Sequence, residues 1–183
     1  MTKKNSIILA LLSTTTLLSS AETSHYLSLT AGYLEYDQTV YGSNNFFDNK
    51  YEKIENESVV GIDYTWLKTI SEDEFLIGVS PRILFADSNF DDGGFLNINF
   101  LAGKAFGDFK LYGNIGYGLN SLSDYTISRG NNYGLTARYD FAEHFSASVS
   151  YNLFDMRVTT IEFNNPTEDY KVEGLLGNLS YKF

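Results

Sequence analysis

The chain has 183 residues with 13 basic and 23 acidic side chains, a net charge of −10, 14 Tyr, 14 Phe, 15 Gly, 2 Pro and no Cys. So acidic a chain does not seek nucleic acid, and the lack of cysteine excludes disulfides, thiolate metal sites, cysteine nucleophiles and a cysteine-linked lipid anchor. Abundant aromatics and glycines with little proline favour strands joined by turns, in a length that suits one domain.

Residues 1–21 read as a cleaved secretory signal peptide. Lys3 and Lys4 precede a mostly apolar stretch from Ile7 to Leu18, and Ser19-Ser20-Ala21 supply the small residues of a cleavage site. The apolar stretch, about 12 residues long, is too short to span ~30 Å of hydrocarbon. Residues 22–183 are then the mature domain. No later segment approaches the ~20 apolar residues of a membrane helix, so a mature chain in a membrane must cross it as strands.

Eight stretches then alternate at period two, the signature of a strand with two different faces. The first sets Leu27, Leu29, Ala31 and Tyr33 against Ser28, Thr30 and Gly32. The second sets Val60, Ile62, Tyr64 and Trp66 against Gly61, Asp63 and Thr65. In the third, Phe75, Ile77, Val79, Pro81, Ile83 and Phe85 oppose Leu76, Gly78, Ser80 and Arg82. The fourth opposes Leu96, Ile98, Phe100 and Ala102 to Asn97, Asn99 and Gly103, and the fifth Leu111, Ile115, Tyr117 and Leu119 to Tyr112, Asn114, Gly116, Gly118 and Asn120. The sixth has Tyr133, Leu135, Ala137, Tyr139 and Phe141 opposite Gly134, Thr136, Arg138 and Asp140. The seventh has Phe145, Ala147, Val149, Tyr151 and Leu153 opposite serines 146, 148 and 150 and Asn152. The eighth ends the chain, with Leu175, Gly177, Leu179 and Tyr181 alternating with Asn178, Ser180 and Lys182 before Phe183.

A soluble sandwich buries its large apolar face and uses strands of about 5–6 residues. These runs last about 9–12 residues, enough for a tilted strand to cross hydrocarbon. Large side chains on one face and small polar ones on the other fit lipid outside and a polar lumen inside. Backbone groups at an open edge would go unpaired in lipid, so the eight strands must close into an antiparallel up-and-down transmembrane β-barrel. The connections at residues 67–74, 107–108 and 142–144 are short, and those at 36–58, 86–94, 121–131 and 155–172 are long. That asymmetry predicts extracellular long loops and periplasmic termini. Tyr64, Trp66, Phe141, Tyr181 and Phe183 fall near the run ends on the periplasmic side as one interfacial girdle, with Tyr33, Phe85, Tyr117, Tyr133 and Tyr151 near the other.

Tyr181-x-Phe183 on an alternating final strand resembles the signal that Gram-negative barrel-assembly machinery reads in its clients. The mature chain resembles the small eight-stranded outer-membrane barrels of the OmpA-transmembrane-domain and OmpX type. The resemblance implies the bacterial outer membrane as location, lipid and lipopolysaccharide as surroundings and the assembly machinery as partner. It leaves function open, because that superfamily includes adhesins, anchors, small pores and lipid-modifying enzymes.

Three candidate sites compete. Glu143, His144 and Ser146 place an acid, a base and a hydroxyl close together, but His144 falls in a periplasmic turn and His25 at the periplasmic start of the first strand. A serine hydrolase acting on lipid A, or an omptin-type protease, would need its histidine at the opposite end, so no catalytic residue is expected. The second candidate is the lumen, where Asp63, Arg82, Arg138 and Asp140 point inward with Lys110 and Lys182 near the lower rim. These ion pairs either plug a bore just wide enough for side chains or gate a narrow ion path. The third is the loops, rich in acids and aromatics such as Asp37, Phe46, Phe47, Asp48, Glu52, Asp87, Asp91, Glu162 and Phe163. They suit an extracellular partner, and no metal-loop spacing appears among them. The expectation is a non-enzymatic barrel without cofactor that serves envelope structure or surface interaction, with a narrow pore as the second reading and an outer-leaflet enzyme as the third.

Overall fold

The computed structural model describes residues 23–40, 50–70, 74–86, 94–123, 126–160 and 168–183. Its eight strands are β1 (Thr23–Val40), β2 (Lys50–Thr69), β3 (Phe75–Ala86), β4 (Gly94–Phe106), β5 (Phe109–Ser123), β6 (Thr126–Ala142), β7 (Phe145–Thr160) and β8 (Glu168–Lys182). Each pairs antiparallel with its sequence neighbours, and β1 pairs with β8, which closes the barrel. Residues 1–22, which include the expected signal segment, lie outside the described residues.

Among the described side chains, the alternations read from the sequence are realised as an inside and an outside. On β8, Leu175, Leu179 and Tyr181 are exposed while Leu176, Asn178 and Ser180 are buried, and β1, β4 and β7 repeat the pattern. Leu29 at 68% and Phe100 at 64% exposure would be anomalous in water. Together with Ile62, Ile98, Ile115 and Val149 they form a continuous apolar band around the wall, which hydrocarbon rather than water must cover.

The strands outrun the predicted runs at the long-connection end. The interval 36–58 was expected as a loop, yet β1 and β2 stay in register out to Val40 opposite Lys50, past a bulge between Leu34 and Tyr36. Likewise β5 and β6 pair out to Ser123 and Thr126, and β7 and β8 to Val158 and Glu168, inside the intervals 121–131 and 155–172. Alternation marks only the part of a strand that faces lipid, whereas backbone pairing needs no apolar face and continues beyond the membrane. The opposite end turns tightly. Phe106 and Phe109 face each other across a turn in which Gly107 takes φ +63°, a conformation that glycine adopts without steric cost.

The wall places a simple demand on each outward position. Leu29→Arg, near the middle of the apolar band, is expected to cost about 2–4 kcal/mol, and Ser58→Arg, just beyond it, about 0–1 kcal/mol. Urea unfolding in phospholipid vesicles, followed by the fluorescence of Trp66, measures both; equal costs would mean that hydrocarbon does not cover this face.

Candidate functional site

Inside the barrel the side chains stack in three layers. Toward the long-connection end lie Leu34, Val59, Leu84, Phe95, Phe154, Met156, Val172 and Leu176, none more than 3% exposed. The Phe95 and Phe154 rings meet at 6.1 Å. A second apolar cluster of Tyr26, Leu67, Leu76, Leu101, Ala105 and Tyr112 lies toward the short-turn end. The sequence reading of a polar lumen placed only Leu76 and Tyr112 of these residues inward, and the two clusters correct it by adding apolar layers at both ends. Their mark in the sequence is a break in alternation, where apolar doublets such as Val59-Val60, Leu84-Phe85, Phe95-Leu96, Leu153-Phe154 and Leu175-Leu176 supply one residue to lipid and one to the lumen.

The middle layer is polar and built from small residues. Asp63 accepts hydrogen bonds from Thr65 (2.5 Å) and Ser80 (2.6 Å) and pairs with the Arg82 guanidinium at 3.0 Å. Across the closing seam, Ser28 and Ser180 share a hydrogen bond at 2.8 Å and Thr30 donates to Asn178 at 2.6 Å, and Asn178 in turn donates to Ser148 on β7 at 3.0 Å. On the opposite wall Asn99, Gly116 and Asn132 lie side by side in register. The Asn132 amide reaches over the glycine to Asn99 Oδ1 at 2.6 Å. A Cβ on Gly134 would sit 2.6 Å from the side-chain oxygens of both Asn114 and Asn152, so glycine there leaves the room that both amides occupy. Several buried polar atoms lack a protein partner, including both amide atoms of Asn97 and Nη1 of Arg82. Each is costly in a dry interior, and this layer is where water enters first if the lumen opens.

The charges near the short-turn end do not sort as the sequence suggested. Asp140 takes Lys110 at 2.7 Å and Lys182 at 3.4 Å, and accepts the Tyr26 hydroxyl at 3.0 Å. Arg138 is held by aromatic groups instead. Its guanidinium lies 4.0 Å from the Tyr26 ring centroid, and Nε donates to the Tyr112 hydroxyl at 3.2 Å. Tyr26 and Tyr112 were not singled out from the sequence as functional, although they tie both charges into one buried knot.

Both histidines serve the final strand. His25 shares a hydrogen bond with the Tyr64 hydroxyl at 2.6 Å, stacks on Phe183 at 5.8 Å, and its carbonyl accepts the Phe183 amide at 3.1 Å. His144, expected as a solvated turn residue, stacks on Tyr181 at 5.6 Å and hydrogen-bonds the Lys182 carbonyl at 3.1 Å. Ser146 is fully buried in the lumen while His144 is exposed, so the wall separates that hydroxyl from that base. The girdle residues Tyr64, Trp66, Phe141, Tyr181 and Phe183 all face outward at this end, and Phe141, Phe145, Tyr181 and Phe183 form a continuous chain of ring contacts. Asp48, Asp87, Asp91, Glu162 and Phe163 lie outside the described residues, and Asp37 and Glu52 sit on strand segments whose side chains are not described.

The buried Asp63–Arg82 pair makes a checkable claim. Asp63→Ala leaves a buried cation without its anion and is expected to cost about 3–5 kcal/mol, with the double variant Asp63→Ala/Arg82→Ala losing less than the single one. Urea midpoints of the two variants decide it, and equal losses would remove the pairing from the account.

Among solved structures, the chain is similar to Neisserial surface protein A, with a TM-score of 0.49 at 14% identity over 88% of this chain and 99% of that one. It is similar to the outer membrane protein OprG from Pseudomonas aeruginosa, with a TM-score of 0.46 at 13% identity over 86% and 95%. It is also similar to Ail, the attachment invasion locus protein of Yersinia pestis, with a TM-score of 0.45 at 17% identity over 86% and 98%. No curated protein sequence matches the chain. The family described as outer membrane protein beta-barrel domain matches residues 7–183, nearly the whole chain. With its closed eight-stranded wall and apolar outer face, the protein therefore belongs to that family and resides in the bacterial outer membrane.

Proposed function

We propose that this protein is a non-conducting, non-enzymatic outer-membrane barrel that supports the envelope and acts at the cell surface through its long connections. The observation that carries this reading is the burial of the lumen at three levels. Leu34, Leu84 and Leu176 above, Ser28, Asn97 and Asn152 in the middle, and Tyr26 below have no accessible surface. The upper layer decides the reading, because a water-filled path would have to pass Leu34, Val59, Leu84, Phe95, Phe154, Met156, Val172 and Leu176, none more than 3% exposed. On this reading Asp63, Arg82, Arg138 and Asp140 are structural fillers of the bore, and residues 1–21 are removed on export. The short turns and both termini face the periplasm, in keeping with the usual asymmetry of connections. Tyr181 and Phe183 present the assembly signal, and lipopolysaccharide surrounds the long-connection end. The acidic, aromatic composition of residues 36–58 and 155–172 suits an extracellular partner.

A narrow pore is the second reading, favoured by the glycine-rich, partly unsatisfied middle layer. Single-channel recording in planar bilayers separates the two. The wild type is expected to be silent, and Phe95→Ser/Phe154→Ser, which wets the upper apolar layer, to show discrete conductance steps. Conductance in the wild type that shifts with Asp63→Ala would make the lumen the functional path instead.

A further inference from the structure

The outer wall carries a hollow that the barrel does not need. Ala102 on β4 and Gly113 on β5 lie side by side in register and form a low floor among the bulkier outward side chains of Ile77, Phe100, Leu111, Ile115 and Leu135. Ile77, Leu111 and Leu135 stand around it, and the hollow has a volume of about 520 Å³, open toward the membrane. Steric demand does not explain the glycine. A Cβ at position 113 would meet nothing closer than 3.6 Å, in contrast to lumen glycines such as Gly134. The bare floor is affordable space rather than a backbone requirement.

One residue among those lining the hollow is charged, and it lies at the short-turn end. Lys104 neighbours Phe75 and Leu111 in register, two residues below the floor. Its ammonium stands 5.8 Å from the Phe75 ring centroid and 5.7 Å from that of Phe106. Two rings hold the cation at the level where the apolar band meets headgroups, with the hydrocarbon hollow directly beyond it. An apolar slot ending on a fixed cation at the interface complements one kind of molecule in a bilayer, an anionic phospholipid whose phosphate meets Lys104 and whose acyl chain fills the slot. The opposite wall offers an internal comparison. Ala31 and Gly177 repeat the Ala–Gly pairing nearer the middle of the apolar band, with Leu29 and Leu179 rather than a cation two residues below.

We infer that the β3–β5 face is a specific site for an anionic phospholipid, with Lys104 taking the headgroup and the Ala102–Gly113 hollow taking a chain. Placing this lipid in the inner leaflet rests on the orientation proposed above; the binding itself does not. The test is native mass spectrometry of the refolded full-length protein in detergent, titrated with dioleoylphosphatidylglycerol or dioleoylphosphatidylcholine. Gel mobility and urea midpoint verify the fold of every variant. The wild type is expected to retain one phosphatidylglycerol in clear preference to phosphatidylcholine. Gly113→Leu, which fills the slot, is expected to weaken that binding by about tenfold or more, the equivalent of ~1.4 kcal/mol. Lys104→Gln is expected to abolish the preference between the two lipids, and Gly177→Leu to change neither. Undiminished binding in folded Gly113→Leu, or a preference that survives Lys104→Gln, would overturn the site. Because the measurement is made in micelles, either result is independent of conductance and of orientation.

Discussion

The requirement that no backbone group be left unpaired in hydrocarbon governs this molecule. Eight strands long enough to cross a membrane have two edges until β1 meets β8, and that pairing, in register from Tyr26–Lys182 to Val40–Glu168, removes both. The seam is reinforced on both sides. Inside, Ser28, Thr30, Asn178 and Ser180 bond across it. Outside, Phe183 rests on His25 and approaches the Tyr64 ring at 6.4 Å. The terminal aromatic is therefore part of the closure as well as the feature that resembles an assembly signal, and the two histidines anchor the strand that completes the wall.

Closure also determines what the interior can do. An eight-stranded barrel leaves room for side chains and little else. Here two apolar layers enclose a polar one, and charges survive inside because each has a partner close by. Asp63 is surrounded by Thr65, Ser80 and Arg82, Asp140 by Lys110, Lys182 and Tyr26, and Arg138 by two tyrosines. Many of the network's polar groups bond one another, while both amide atoms of Asn97 and Nη1 of Arg82 have no protein partner. The surfaces that remain are the long-connection end and the membrane face.

That membrane face is uneven in an informative way. Most outward positions carry bulky residues, and among the small ones two pairs are adjacent in register, Ala102 with Gly113 and Ala31 with Gly177. One pair lies above a lysine caged by two rings and the other above leucines. The first pair thus floors a hollow that ends on a cation, and the second has only apolar neighbours beside it.

The number of strands, their order, which side chains face lipid and the class of membrane protein were all legible in the sequence. Period-two alternation is a local property, and each position obeys it independently of what its neighbours across the sheet do. The identities of inward residues such as Asp63, Arg82 and Asn99 were legible for the same reason. Their partners were not, because Arg138 meets Tyr26 and Asp140 meets Lys182 only after segments more than forty residues apart are brought into register. Leu76 and Tyr112 were legible as inward residues, but the layers at Leu34–Leu176 and Tyr26–Tyr112 were not, because a single apolar residue on the inner face looks like noise along one strand and becomes a layer only when several strands contribute at the same height. The extended hairpins beyond Tyr33 and Ser58 were hidden because pairing outside the membrane leaves no hydrophobic pattern. Sequence alone decided inside against outside; the closed sheet decided which residues meet, since register and barrel curvature are properties of no single strand.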